Sequence, residues 1–489
     1  MHVRHTIQPA TPLNIIDVRF DQGIQIFTAC TSTGYAVYRA WPLTLLRKRD
    51  LTKGTLSMVQ PLHTSSLLFL VGGGRSPLYP PNKVIMYDDA LGREVAELEF
   101  RERVLGLAAR RGWLAVALKR RVVVYRFIDG VVARYREWET CVNMRGLMSL
   151  ATAPESTLLA IPGRQTGHVQ LIHLPPCPPP TPSPVQPSPI SPHLPPPPIP
   201  APGPPPMRTN SSAKAPISII LAHTTPLSTL CSPPSGRLLS TASERGTLIR
   251  VWDTSSGKLV RELRRGTDKA EIYGVAFRGD ESEVCVWSDK GTVHVFKIGL
   301  PTPDTDRGAV GNRHSSLSPL SPFLRLPKYF ASEWSYASYR LPGPTAHISL
   351  SSALNSGGDY PASEDAGEEE KCVVGWIQVP VHECEEEEVE EEVMQYQLVA
   401  LTYSGCWYRL SVPSSSPNSQ VLPSTVPSPA VPSTGAIRIP QPRDRDRTSH
   451  HHVSSKGKKK EKAESDGERV GRQCVLEEFR RFGRWDGWA

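Results

Sequence analysis

The feature that most restricts the fold is a short β-type run that recurs seven times along the chain. Each copy follows a turn, is rich in β-branched and aromatic residues, and is in most cases preceded at hairpin distance by another apolar run. The copies occupy residues 34–38, 83–87, 121–125, 167–172, 247–252, 292–296 and 406–410. Strands that repeat in this way are typical of an all-β propeller, and seven copies predict seven blades of the WD40 type.

The spacing between copies is near 40–50 residues except in two places, and each exception contains a segment that cannot form a core. In the first, 19 of the 32 residues from 175 to 206 are proline, which favours polyproline II or disordered linker. The second contains a long loop and two acidic runs. The sequence predicts blades 1–4 in 1–174, a Pro-rich disordered insertion in 175–215 and blades 5–6 in 216–298. A long loop of blade 6 follows in 299–328, and the end of blade 6 and blade 7, with acidic loops, occupy 329–412. The chain is predicted to end with a disordered Ser/Pro-rich and basic insertion in 413–471 and a closing strand with the C-terminus in 472–489.

The composition indicates in which cellular compartment the protein lies and which class of partner it binds. The formal net charge of +8 favours anionic partners, either nucleic acid or an anionic membrane surface. The nine cysteines are scattered without metal-ligand spacing, which indicates a reducing compartment and no structural zinc. We expect no other metal site and no cofactor. The N-terminus lacks the apolar region of a signal peptide, and no run approaches a membrane span, so we expect a cytosolic protein whose membrane contact is peripheral.

Two similar phrases flank the most unusual motif, which is Leu263-Arg264-Arg265-Gly266. Ser243-Glu-Arg-Gly-Thr247 precedes the motif and Ser288-Asp-Lys-Gly-Thr292 follows it, so that the two phrases lie about 45 residues apart. Taken alone, each phrase is explained equally well as a tight turn, in which Gly246 or Gly291 supplies a positive φ.

The paired arginines add a second interpretation of these phrases. Neighbouring side chains of extended chain point to opposite faces, so Arg264 and Arg265 are expected to serve two different ligand groups. Guanidinium and hydroxyl donors together suit phosphate, and His223 and His294 are candidate further donors. No order of Ser, His and Asp, phosphate-binding glycine loop or metal set indicates an enzyme, and the arginines lack the interleaved aromatics of a nucleic-acid surface.

Several stretches of the chain resemble one family. They are residues 71–74, 79–84, 139–141, 241–253, the Leu-Arg-Arg-Gly motif, 288–296 and 326–334. In these stretches the chain resembles the PROPPINs, called WIPI proteins in animals, and is most similar to the branch that contains WD repeat protein 45B and the fungal Hsv proteins. The resemblance implies a seven-bladed propeller that binds phosphatidylinositol 3-phosphate and phosphatidylinositol 3,5-bisphosphate in two rim pockets.

The resemblance also implies which residues form each pocket. The first pocket is expected to use Arg264 with His223, Ser243, Thr247 and Arg250. The second is expected to use Arg265 with Ser288, Thr292 and His294.

The family inserts a long loop of the sixth blade into the bilayer, and residues 299–328 occupy that place. The loop offers four apolar residues for insertion, which are Leu317, Leu320, Phe323 and Leu324. Three interspersed prolines argue against a continuous amphipathic helix, and a linker with incidental leucines is the alternative.

The resemblance implies a role in autophagy for a monomeric protein. It would bind phosphoinositide-containing membranes, among them the isolation membrane, endosomes or the vacuole, and autophagy proteins such as the large lipid-transfer protein, but no nucleic acid. A WD-type scaffold that binds only proteins is the alternative function.

Overall fold

The protein is described by a computed structural model over residues 15–128, 131–176, 218–299, 312–313, 332–342, 370–381, 393–413 and 472–483. These residues form 30 β-strands in seven sheets. Within these ranges no helix has the length and apolar character that crossing a bilayer requires. The predicted insertion residues Leu317, Leu320, Phe323 and Leu324 lie outside the described residues, as do 177–217 and 414–471, which cover most of the two predicted insertions.

The first four sheets each contain four consecutive antiparallel strands. Sheet 1 consists of β1 (Ile15–Phe20), β2 (Ile26–Thr31), β3 (Gly34–Arg39) and β4 (Thr44–Asp50). Sheet 2 consists of β5 (Leu56–Pro61), β6 (Leu67–Gly72), β7 (Lys83–Asp88) and β8 (Arg93–Glu99). Sheet 3 consists of β9 (Gly106–Arg110), β10 (Trp113–Ala117), β11 (Arg121–Ile128) and β12 (Val131–Glu139). Sheet 4 consists of β13 (Ser149–Leu150), β14 (Leu158–Pro162), β15 (His168–His173) and β16 (Ile219–Leu221).

The last three sheets include strands that are not consecutive in the chain. Sheet 5 consists of β17 (Leu227–Cys231), β18 (Leu238–Ser243), β19 (Leu248–Asp253) and β20 (Leu259–Arg264), with β24 (Glu333–Trp334) added at its edge. Sheet 6 consists of β21 (Ile272–Phe277), β22 (Glu283–Ser288), β23 (Thr292–Lys297) and β25 (Ala337–Arg340), with β29 (Arg472–Gln473) added at its edge. Sheet 7 consists of β26 (Cys372–Val381), β27 (Val393–Thr402), β28 (Cys406–Ser411) and β30 (Val475–Arg481).

The sheets form a closed ring, and the core lies between them. Each sheet contacts the next, mainly through its first strand, and β26 of sheet 7 returns to β1 of sheet 1. Seven clusters of buried apolar side chains each span two consecutive sheets. Because the middle strands are covered on both faces, they read as nearly continuous apolar runs, whereas outer strands such as β4 are exposed along their length.

The predicted seven-bladed β-propeller is confirmed by this arrangement. The seven β-type runs of the sequence are the third strand of each sheet, and the apolar runs before them are the second. The two-residue edge strands β24 and β29, which pair in parallel with β20 and β25, were not anticipated. They are too short to carry a pattern of alternation.

The ring closes between sheet 7 and sheet 1 through side chains. The ring of Phe482, just after β30, lies 5.2 Å from that of Phe27 and 5.7 Å from that of Tyr38. The indole N–H of Trp407 donates to the carbonyl of Ala40 at 3.1 Å. In the described part of the chain, these two sheets share no strand, so side-chain packing and hydrogen bonds such as this one stabilise the last seam.

We expect Phe482→Ala to lower the free energy of unfolding by about 3–5 kcal/mol, because it leaves a cavity in the closing seam where Phe482 is only 3% exposed. Phe479→Ala on β30 is the matched control. Its ring is 39% exposed, so we expect a loss of about 1 kcal/mol or less. Urea unfolding followed by tryptophan fluorescence measures both, and equal losses would contradict closure by this packing.

Candidate functional site

The two Ser-x-basic-Gly-Thr phrases are tight turns between the second and third strands of sheets 5 and 6. Gly246 has a φ of 62° and Gly291 a φ of 65°. The N–H of each glycine donates to the carbonyl of the serine three residues earlier, at 2.8 Å and 3.1 Å. A Cβ at Gly246 would lie 1.7 Å from the carbonyl oxygen of Ala270, so only glycine fits there. The turn interpretation is therefore correct for the backbone, and the turns place both phrases at the same end of adjacent sheets.

Arg264 and the residue before it face opposite sides of β20. Leu263 is fully buried among the side chains that fill the seam between sheets 5 and 6. In the β19–β20 ladder, Arg264 lies opposite Leu248, and Glu262 lies opposite Arg250. Because alternate residues of a strand share a face, Arg264 and Arg250 lie on the face that Leu263 does not use.

The first candidate pocket lies where sheet 4 meets sheet 5. Nε2 of His223, two residues after β16, lies 2.9 Å from the hydroxyl of Thr241, which also accepts a 3.0 Å hydrogen bond from the indole N–H of Trp252. Arg250 donates to the carbonyl of Ala222 at 2.7 Å and to the carboxylate of Glu262 at 2.9 Å. The structure thus brings His223 and Arg250 together and partly neutralises the Arg250 charge.

Arg264 is held in place by the segment that leads into β25. Its Nε donates to the hydroxyl of Ser332 at 2.8 Å, and its guanidinium carbon lies 5.9 Å from the centre of the Trp334 ring. Arg264 is only 5% exposed. This arginine is therefore fixed in orientation rather than extended into solvent.

The second candidate pocket lies beside sheet 6. Arg265 is 9% exposed and donates to the carbonyls of Asp268 at 2.6 Å and Gly246 at 3.4 Å. Burial lowers the pKa of Arg265, while the nearby carboxylates of Asp268 and Asp289 act in the opposite direction. Its guanidinium is thus bound to backbone oxygens, with carboxylates in electrostatic range.

Burial and a neighbouring arginine keep both candidate histidines neutral. For His223, burial and then the charge of Arg250 lower the pKa to about 4. For His294, burial and then the charge of Arg265 lower the pKa to about 4. Nδ1 of His294 lies 3.1 Å from the hydroxyl of Ser335. The structure therefore brings His294 and Arg265 together, as it does His223 and Arg250.

The predicted hydroxyls occupy the turns beside these groups. Ser288 is fully buried and Ser243 nearly so, while Thr247 and Thr292 are half-buried. The carbonyl of Thr247 accepts a 3.1 Å hydrogen bond from the N–H of Arg265, and the hydroxyl of Thr292 lies 3.5 Å from the carbonyl of Lys290. Within the described ranges, no group of three side chains is placed to bind a metal ion.

Sequence reasoning missed four residues of this region. Thr241 lies in the run that carries the family resemblance, but nothing in that run shows that it joins His223 to Trp252. Ser332, Trp334 and Ser335 lie almost 70 residues beyond the arginines, and only the edge pairing of β24 brings them there.

Comparison with known proteins finds relatives whose sequences align with about two thirds or more of the chain. The PROPPIN family model matches residues 207–308, which contain both arginines. The chain is 31% identical to SVP1-like protein 2 of Pichia angusta over 67% of this chain and 81% of that protein. It is 30% identical to Autophagy-related protein 18e of Arabidopsis thaliana over 69% of this chain and 78% of that protein.

Solved structures show the same fold at lower identity. Kluyveromyces lactis Hsv2 superposes with a TM-score of 0.52 at 18% identity, covering 81% of this chain and 93% of that one. The complex of KlAtg21 with the coiled coil of AgAtg16 gives a TM-score of 0.54 at 14% identity, covering 96% of this chain and 100% of that one. With the sequence relatives, the matching family model and the seven-sheet ring taken together, the chain belongs to the PROPPIN family.

Proposed function

We propose that the protein is a peripheral membrane effector that binds phosphatidylinositol 3-phosphate and phosphatidylinositol 3,5-bisphosphate through the two pockets. The observation that carries this proposal is the geometry at the end of β20. Arg264 lies on the face of Arg250, whereas the Arg265 side chain lies near His294 of the next sheet. Two adjacent guanidinium groups thus have separate sets of donors around them.

The chemistry of these donors suits a phosphomonoester. A guanidinium binds phosphate oxygens through two parallel N–H groups, and neutral hydroxyl and imidazole donors add hydrogen bonds without adding charge. Both arginines are largely buried, and hydrogen bonds to an anion are stronger where water is excluded. Carboxylates weaken the attraction in both pockets, Glu262 beside Arg250 in the first and Asp289 near Arg265 in the second.

Membrane attachment then combines several weak contacts. The net charge of +8 favours an anionic surface, and Leu317, Leu320, Phe323 and Leu324 are the proposed insertion residues. The protein acts in autophagy, on the isolation membrane, endosomes or the vacuole, and connects the lipid to protein partners such as the large lipid-transfer protein. The solved complex of KlAtg21 with the coiled coil of AgAtg16 supports a protein-bridging role.

We expect Arg264→Thr combined with Arg265→Thr to reduce binding to liposomes containing phosphatidylinositol 3-phosphate by at least about tenfold, because each change removes charged hydrogen bonds to phosphate. Flotation measures the bound fraction. The matched control is Arg134→Thr with Arg136→Thr, which removes the same charge from the exposed outer strand of sheet 3. Equal loss in both double variants would show that only net charge matters, and unchanged binding in the first would refute the lipid role.

We expect soluble inositol 1,3-bisphosphate to bind saturably, at two headgroups per chain, to a chain that lacks residues 413–471. The pockets involve none of those residues, whereas the basic cluster at 456–462 would bind anions without saturation. Isothermal titration calorimetry measures the stoichiometry. The absence of saturable binding would leave a scaffold that binds only proteins.

We expect the neutral imidazoles to make the fold sensitive to acid. Their folded pKa of about 4 lies below the ordinary 6.5, so the unfolded chain takes up more protons and stability is lost as the pH falls from 6.5 towards 4. When the pH is lowered from 7 to 5, the free energy of unfolding of each variant, His223→Gln and His294→Gln, should fall by about 1–2 kcal/mol less than that of the wild type. Urea unfolding at both pH values measures this. Identical losses would mean that folding leaves the pKa of these imidazoles at its ordinary value.

A further inference from the structure

Four residues cross from sheet 5 to sheet 6 at the seam where the two arginines lie. We call Ser332, Glu333, Trp334 and Ser335 the crossing segment. Its strand β24 pairs in parallel with β20, so that Glu333 lies opposite Leu263 and Trp334 opposite Arg264. Two residues after Ser335, Ala337 begins β25 and pairs with Val295 of sheet 6. The crossing segment therefore belongs to both sheets that carry the candidate pockets.

The first end of the crossing segment holds Arg264. The Ser332 hydroxyl, which is fully buried, accepts a hydrogen bond from Nε of Arg264 at 2.8 Å, and the Trp334 ring faces the same guanidinium at 5.9 Å. A hydrogen bond at Nε together with a ring contact limits rotation of a planar guanidinium. Ser332 and Trp334 thus set the direction in which this side chain presents its donors.

The other end of the crossing segment holds His294. The hydroxyl of Ser335, itself buried, lies 3.1 Å from Nδ1 of the ring. A partner at one ring nitrogen fixes the ring orientation and the tautomer, and so decides whether Nε2 donates or accepts. Ser335 therefore acts on the second pocket as Ser332 acts on the first.

Glu333 anchors the middle of the crossing segment through hydrogen bonds. Its carboxylate accepts hydrogen bonds from Arg261 on β20 at 2.9 Å and from the side-chain amide of Asn312 at 2.6 Å. The backbones of Trp334 and Arg313 exchange hydrogen bonds of 2.7 Å and 3.1 Å. Because Ser332 and Ser335 are only three residues apart, at most about 10 Å along the chain, a shift of this anchor moves both hydroxyls.

We propose that the crossing segment is a positioning element shared by the two phosphate pockets, in which Ser332 orients Arg264, Ser335 orients His294, and Glu333 keeps both in register. The inference rests on the proposed function, since it assigns roles in headgroup binding. The inference adds to the predicted binding residues a set of residues that carry no positive charge and lie far in sequence from Arg264 and Arg265.

The test uses the full chain and soluble inositol 1,3-bisphosphate, measured by isothermal titration calorimetry. Arg265→Thr leaves the first pocket to be measured alone, and Arg264→Thr leaves the second. We expect Ser332→Ala to weaken the first pocket about threefold to tenfold, the effect of losing one hydrogen bond to an oriented group, and Ser335→Ala to weaken the second by a similar factor. Ser332→Thr and Ser335→Thr, which keep the hydroxyl, should restore binding to within about twofold of the parent chain.

Glu333→Ala separates a shared element from two independent contacts. It removes neither hydroxyl, yet we expect it to weaken both pockets about twofold to fivefold. Alanine variants that bind as the parent does, or threonine variants as weak as the alanine ones, would overturn the positioning roles. A Glu333→Ala effect confined to one pocket would overturn the shared role.

Two further measurements, of the His294 resonances without ligand and of headgroup binding by the wild-type chain, make the test of the positioning role unambiguous. The imidazole ¹⁵N resonances of His294 should shift in Ser335→Ala and return in Ser335→Thr without ligand, which shows the hydrogen bond even if an affinity is too weak to measure. Unchanged resonances would count against the inference. If the wild-type chain binds no headgroup, the proposed function fails and this inference fails with it, whereas wild-type binding with unaffected serine variants removes only the inference.

Discussion

Burial of apolar side chains between consecutive sheets is the interaction on which the rest of the structure depends. A sheet with two apolar faces is stable only if both are covered, and each of the seven clusters here spans two neighbours. The last seam contains Phe27, Trp407 and Phe482, packed without a shared strand in the described residues.

The closed ring explains why the neighbouring residues Arg264 and Arg265 have different surroundings. The end of β20 reaches the rim beside two seams, and the alternation of side chains along extended chain directs Arg264 and Arg265 to different sides. Leu263, fully buried between sheets 5 and 6, fixes which side each one takes. Burial then lowers the pKa of both imidazoles and of Arg265. The cost of burying these groups is offset by hydrogen bonds to backbone carbonyls and hydroxyls.

The sequence predicts the fold well because each blade repeats one local pattern. All seven third strands, and the positive φ of Gly246 and Gly291, follow from β-type runs and turn chemistry. Neither β24 nor β29 could be predicted, because a two-residue edge strand has no period of its own. Ser332 and Ser335 were missed for the same reason, since their role depends on contacts across about 70 and 40 residues of sequence. The ion pair between Arg250 and Glu262 could not be predicted from the sequence either, although the two residues lie opposite each other on the paired strands of one hairpin.

The position of β30 has a consequence for how the protein is made. Sheet 7 receives its outer strand only from residues 475–481, near the C-terminal end of the chain. During synthesis the ribosome therefore releases β26, β27 and β28 before β30 and Phe482, which leaves an exposed margin at the edge of β28 and at the seam with sheet 1. Exposed margins of this kind are where nascent chains associate wrongly. The interval between β28 and Phe482 is thus when a nascent chain most needs protection by chaperones.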